Sequence, residues 1–176
     1  MSMIHTIGHS TRPLEELVDL LESFQVTHLV DIRTVPGSRH NPQYSERVLA
    51  DELPGLGIDY CRMKGLGGLR KTQRDSPNMG WRNASFRGYA DYMQTAEFAR
   101  AVEELAELAR AHCVAIMCAE AVPWRCHRSM VGDAMLVRGF EVLDIMGLGK
   151  ATPHKLTRFA VVERTQITYP PEQDSP

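Results

Sequence analysis

The stretch from residue 114 to residue 130 constrains the chain more than any other. Val114, Ala115, Ile116 and Met117 form an unbroken apolar run, the pattern of a strand buried on both faces of a sheet. Cys118, Ala119 and Glu120 follow, Pro123 breaks the run, and from about Arg125 the apolar residues return at helical spacing. A strand that ends in reactive side chains and passes into a helix start is where open α/β sheets bind ligands. The free N–H groups of a helix N-terminus favour anions, and Arg125 and Arg128 bring two fixed positive charges to the same place. The stretch is therefore expected to hold the active or binding site.

The rest of the chain follows the same rhythm. Strands are expected at 3–8, 28–33, 58–62, 113–119 and 140–146, each apolar through its middle. Between the first two, Thr11 is placed to cap a helix with Pro13 in its first turn, and Leu14, Leu17, Val18 and Leu21 make its buried stripe. Ser45 starts a short helix to about residue 53, and residues 89–93 make another. Thr95 opens a strongly amphipathic helix to residue 111, with Phe98, Val102, Leu105 and Ala109 on one face. Gly139 suits the left-handed end of the helix after the fourth strand. Residues 156–162 fit a short helix or an edge strand, and a C-terminal tail is expected over 163–176.

Alternating strands and helices predict an α/β fold: a single three-layer domain over 1–162, with a mostly parallel five-stranded sheet and helices on both faces. The polar exits of strands one, two and four then share the carboxyl edge of the sheet. That edge gathers His9, Ser10, Asp31, Arg33, Cys118, Glu120, Arg125 and Arg128 from segments remote in sequence.

Composition excludes several classes. A chain of 176 residues, 43% hydrophobic and 24% charged, can bury its own core. No apolar run reaches the length that spans a bilayer, and the first residues lack a basic region followed by a hydrophobic segment. A cytoplasmic protein without a membrane partner is expected. Four cysteines, Cys61, Cys113, Cys118 and Cys126, are too few for a disulfide scaffold, and thiols in that compartment stay reduced. The formal net charge of −2 conceals an asymmetry. Arg62, Lys64, Arg70, Lys71, Arg74, Arg82 and Arg87 lie close together with one acid, Asp75, largely within a glycine-rich loop at 63–87. So long a connection is either a functional lid or poorly ordered, and its charge suggests a local anionic ligand. Gly65, Gly67 and Gly68 lack the spacing and the following helix of a dinucleotide fingerprint.

Several separated motifs resemble one family, the domain of unknown function 488. They are Thr6-Ile7-Gly8-His9-Ser10, Asp31-Ile32-Arg33 with Pro36 and Ser38, and the segment from Phe86 to Met93. The most specific is Cys118-Ala119-Glu120 followed by Cys126-His127-Arg128. The likeness spans residues 4 to about 146 and implies a compact α/β domain. It implies no particular reaction.

The side chains leave three readings. The first is an enzyme acting on a phosphorylated small molecule or nucleotide. Arg33, Arg87, Arg125, Arg128 and Ser129, with His9 and Ser10, would hold the anion; Glu120, Cys118 or Asp31 would do the chemistry. Against it, Asp31 and Glu120 could merely hold the arginines, and each arginine could pair with a surface acid. Cys118 has the outline of a phosphatase or sulfurtransferase loop, yet Arg125 follows one residue too late, and a small core residue is the plainer role. The second is a single-stranded nucleic-acid module, in which the basic loop supplies charge and Tyr60, Trp81, Phe86 and Tyr89 supply stacking. The third is a metal-binding or thiol-redox protein built on Cys118 and Cys126, with His127 beside them. His127, however, shares a helix face with Met130, Val131 and Ala134, which suits a core histidine with a backbone partner. No cofactor is expected, and the first reading, with a small anionic ligand, is the one carried forward.

Overall fold

The computed structural model describes residues 2–37 and 39–172; Ser38 and residues 173–176 of the expected tail lie outside the described residues. In chain order the elements are β1 (Met3–Gly8), α1 (Leu14–Ser23), β2 (His28–Asp31), α2 (Glu46–Glu52), β3 (Asp59–Arg62), α3 (Ala84–Tyr92), α4 (Ala96–Ala111), β4 (Val114–Cys118), α5 (Arg128–Leu136) and β5 (Glu141–Gly147). Three short strands close the chain: β6 (Lys150–Pro153), β7 (Val161–Glu163) and β8 (Gln166–Thr168).

The main sheet has the order β3-β2-β4-β1-β5-β6. Its first five strands run parallel, as their apolar runs require, and β6 returns antiparallel along β5. Every residue of β4 is buried, which makes this strand the centre of the sheet. Leu17, Val18, Leu21 and Leu49 from α1 and α2 pack beneath one face, while Phe98, Val102, Leu105, Met130 and Val131 from α4 and α5 cover the other. The sheet is thus sandwiched as expected, with a sixth strand added. That strand is a short edge segment ending in Pro153, too brief to show a period in the sequence.

The chain leaves β1 toward one face and β4 toward the other, which makes the gap between their exits the switch point of the sheet. The gap is sewn shut by backbone. His9 N–H donates to the Cys118 carbonyl and Ser10 N–H to the Ala119 carbonyl, both at 2.9 Å. Ligand space therefore lies on either side of this seam and not within it.

Three local expectations are corrected. Thr11 does not cap α1, whose N-cap is Pro13 with no side-chain bond; Ser45 and Thr95 do cap α2 and α4. The basic loop is not loose, because the buried Asp91 carboxylate on α3 accepts from Gln73 N–H, Ser76 Oγ and Asn78 Nδ2. Tyr89 and Tyr92 of the same helix donate to the carbonyls of Leu66 and Gly65. The expected tail likewise carries structure up to Tyr169, which is fully buried and donates its N–H to Asn78 Oδ1. Sequence missed both because their anchors are polar and distant, not periodic. Among the described residues, no helix is long and apolar enough to cross a membrane.

Candidate functional site

The residues expected at the carboxyl edge divide into two networks. The first surrounds Arg33. Both oxygens of the buried Asp31 accept from its guanidinium, Nε to Oδ1 at 2.9 Å and Nη2 to Oδ2 at 2.7 Å, while Nη2 also donates to the Tyr44 carbonyl. Tyr60 donates its hydroxyl to the same carboxylate at 2.5 Å, and burial together with that bond raises its pKa. His9 donates Nδ1–H to the Ser10 carbonyl at 2.7 Å, which leaves Nε2 to accept from Arg33 Nη1 at 3.3 Å. Its ring stacks on Tyr44, and burial lowers its pKa, so it is held neutral beside the arginine. This is a satisfied, closed cluster. Asp31 orients Arg33, and the pair has no charge left to clamp a phosphate.

The expected arginine clamp does not assemble. Arg87 donates to the Trp81 and Arg82 carbonyls, and Arg125 is exposed in the turn before α5. Arg128 is 1% exposed, with Nη2 directed at the carbonyls of Glu120 and Ala121 at 3.3 and 3.5 Å. Among the described residues, its Nε and Nη1 have no hydrogen-bond partner. Ser129 turns back to cap the Cys126 carbonyl, and Glu120 is exposed. Sequence brought Arg125 and Arg128 to one helix start, but α5 begins only at Arg128, so Arg125 stays in the turn before it.

The second network is built by the turn between β4 and α5. Cys118 ends β4 and is 1% exposed within the core, as a small apolar residue would be. Eight residues later the chain returns, and Cys126 lies partly buried with its sulfur 3.4 Å from His127 Nδ1. His127 Nε2 lies 2.8 Å from the Ile32 carbonyl beyond β2. A carbonyl can only accept, so Nε2 carries the proton and Nδ1 faces the sulfur as a base. The Tyr89 ring packs on the imidazole, and Gly68 leaves room for it, since a Cβ there would lie 3.2 Å from Nδ1.

The electrostatics follow from these contacts. The neighbouring Cys118 side chain is the largest influence on Cys126; it outweighs the burial opposing it and, with His127 and the Arg128 N–H, holds the Cys126 pKa down to about 4. The Cys118 thiol itself donates to the Glu120 carbonyl at 3.5 Å, and the Cys126 sulfur and burial push its pKa well above the ordinary thiol range. Burial alone would lower His127, yet the adjacent sulfur raises it. The shifts run in opposite directions, down for the Cys126 thiol and up for the His127 imidazole, as expected where a sulfur and a ring nitrogen favour each other's charged forms. Cys126 stands in the sequence as the middle of a short motif and shows no strand or helix period of its own. What marks it is adjacency to His127, a signal overshadowed by Cys118 at the strand end.

The other readings meet obstacles. Tyr89 is buried, Tyr60 is tied to Asp31, and Trp81 packs edge-on against Phe86 and Phe159, so these rings do not form an open stacking platform. Among the described residues, no group of three or more His, Cys, Asp or Glu side chains is arranged to hold a metal ion. The three residues weighed as ligands fail because His127 presents one nitrogen to Cys126 and the other to a carbonyl.

A strand exit, a two-cysteine turn and a Cys-His-Arg helix start are thus set on a doubly covered α/β sheet. The chain belongs to the family described as domain of unknown function 488, whose model matches residues 13–135 and so takes in β2, β4 and the whole turn to α5. The first motif of the resemblance, at residues 6–10, lies outside the matched range. Comparison with curated proteins and with solved structures finds no significant match.

Proposed function

We propose that the chain is a cysteine-dependent enzyme in which Cys126 is the nucleophile and His127 its base. The single observation that carries this is the placement of His127. Its Nε2–H is spent on the Ile32 carbonyl, and its free nitrogen is aimed at a partly exposed sulfur. Thiolate adjacent to an imidazole and a helix start is the arrangement that activates sulfur for attack on an electrophile. Cys118 would steady the thiolate without being consumed.

The substrate in this reading is a small anion. Lys64, Lys71 and Arg74 are exposed on the loop that touches His127 through Gly68, and Arg125 is exposed one residue before the nucleophile. Arg128, with two nitrogens lacking a protein partner, is a further source of positive charge beside Cys118. This distribution of charge supports an anionic electrophile better than a phosphate clamp made of several guanidiniums.

The test is alkylation by iodoacetamide at pH 6, read by mass spectrometry of the labelled peptides. Cys126 is expected to react fastest, although Cys61 is the more exposed thiol, because burial and nearby acids raise the Cys61 pKa. In His127→Ala the inflection of the Cys126 rate should move upward from about 4. If Cys61 outpaces Cys126 at pH 6, Cys126 is not a thiolate and the proposed chemistry fails.

A further inference from the structure

The four cysteines differ in what they can reach. Cys113 precedes β4 at the amino edge of the sheet, about 16 Å of extended chain from Cys118. Cys61 is level with Val30 of β2, which is level with Ile116 of β4, so it stands two strands, about 10 Å, away from β4. Both separations exceed the span of a disulfide. Cys118 and Cys126 are different. Cys118 closes β4 inside the core, and the chain returns so that Cys126 packs against the same core cluster. The two side chains are neighbours there.

They also differ from each other. Cys126 is partly exposed, and His127 Nδ1 lies 3.4 Å from its sulfur. Cys118 is 1% exposed, with its thiol turned to the Glu120 carbonyl at 3.5 Å. An oxidant arriving from solvent meets Cys126 first, and the thiol beside it lies inside the protein. Cys118 is held by the pairing of β4 with β1, whereas Cys126 sits in extended backbone between the turn and α5 and can turn toward it. One sulfur is thus placed to attack and the other to resolve.

We infer that Cys126 and Cys118 are a couple that reduces hydroperoxides, in which Cys126 attacks the peroxide and Cys118 resolves the product as an intramolecular disulfide. The inference rests on Cys126 being the nucleophile, and it adds a second reaction in which Cys118, a bystander in the first, is consumed. The Cys126 thiolate bonds to the terminal oxygen of the hydroperoxide, the O–O bond breaks, and the departing alkoxide takes a proton from water. The products are an alcohol and a sulfenic acid whose hydroxyl comes from the peroxide. The Cys118 sulfur then displaces that hydroxyl, which leaves as water with the Cys118 proton. Two electrons have passed from two thiols to the peroxide, and a small dithiol returns them. Arg128, buried beside Cys118, opposes the effect of burial and favours the Cys118 anion as it forms. A hydroperoxide suits a half-buried sulfur because it offers a terminal oxygen, whereas a disulfide oxidant must bring a substituted sulfur into line.

The intact reduced chain is exposed at pH 6 to hydrogen peroxide, to cumene hydroperoxide or to oxidised glutathione. Free thiols are then blocked with iodoacetamide and the peptides read by mass spectrometry. With either peroxide, Cys118 and Cys126 should be joined at least about tenfold faster than Cys61 or Cys113 is oxidised, and dithiothreitol should release both. In Cys118→Ala, dimedone should trap Cys126 as a sulfenic acid, which otherwise passes on to sulfinic acid. In Cys126→Ser, Cys118 should stay reduced. Sulfinic acid on Cys126 of the parent without a disulfide, a disulfide to Cys61 or between two chains, or faster oxidation by glutathione disulfide than by either peroxide overturns the inference. If Cys126 is the first thiol alkylated yet no disulfide forms, the couple alone is wrong. If Cys126 neither alkylates nor oxidises, its role as nucleophile falls as well.

Discussion

Gly8→Ala is expected to destabilise the fold by about 3 kcal/mol and to disturb the cysteine turn at the same time, through overpacking at a site with no slack. A Cβ at this position would lie 1.7 Å from the Glu120 carbonyl oxygen, 2.5 Å from its carbon and 2.9 Å from the Ala121 Cα. All three are backbone atoms, so no side chain can swing aside. Either β1 or the turn after β4 must retreat, and the retreat breaks the bonds from His9 N–H and Ser10 N–H that sew the two exits together. Arg128 loses its carbonyl partners in the same movement, because Glu120 and Ala121 supply them. Urea denaturation of Gly8→Ala gives the stability, and the pH 6 alkylation rate of Cys126 gives the site. A variant as stable as the parent, with an unchanged rate, would mean that the seam does not hold the turn in place.

The same glycine shows what the sequence could and could not reveal. Apolar runs at 3–8, 28–31 and 114–118 announce buried parallel strands because burial on both faces leaves a composition, and composition is local. Parallel strands covered on both faces share one carboxyl edge, so that edge and the residues along it were legible, whereas the order of the strands was not. The direction of each side chain at that edge was not. Arg33 and Asp31 are two residues apart and close on each other, which charge counting cannot distinguish from two groups facing a ligand. Arg128 was placed at a helix start correctly, but its burial depends on a turn whose path is set by Gly8 and the strand β1, more than a hundred residues away in sequence. The basic loop misled for a related reason. Its order comes from one carboxylate, Asp91, on a helix that begins inside the segment expected to be irregular.

Raising the pH from 6.5 to above 9 is expected to remove up to about 3 kcal/mol of stability through one residue, His154. Burial would lower its pKa, but hydrogen bonds and charge from Asp133 and Asp144 prevail and raise it to about 9. A group whose folded pKa exceeds its unfolded value stabilises fully below the unfolded pKa, here 6.5, and loses that contribution as the pH climbs through the folded one. The imidazolium matters because Asp133 is the joint between α5 and the C-terminal segment. It is wholly buried and accepts from His154, from Thr157 N–H and Oγ1, and from the Tyr169 hydroxyl. Asp133→Ala should cost about 3–5 kcal/mol, since it strands a buried cation and a buried hydroxyl together. In His154→Gln a donor remains but the proton does not, so urea midpoints at pH 6 and pH 9.5 should converge relative to the parent. Parallel pH profiles for the parent and His154→Gln would show that the imidazole is neutral in the fold. Asp133 would then be met by neutral donors alone, from His154, Thr157 and Tyr169.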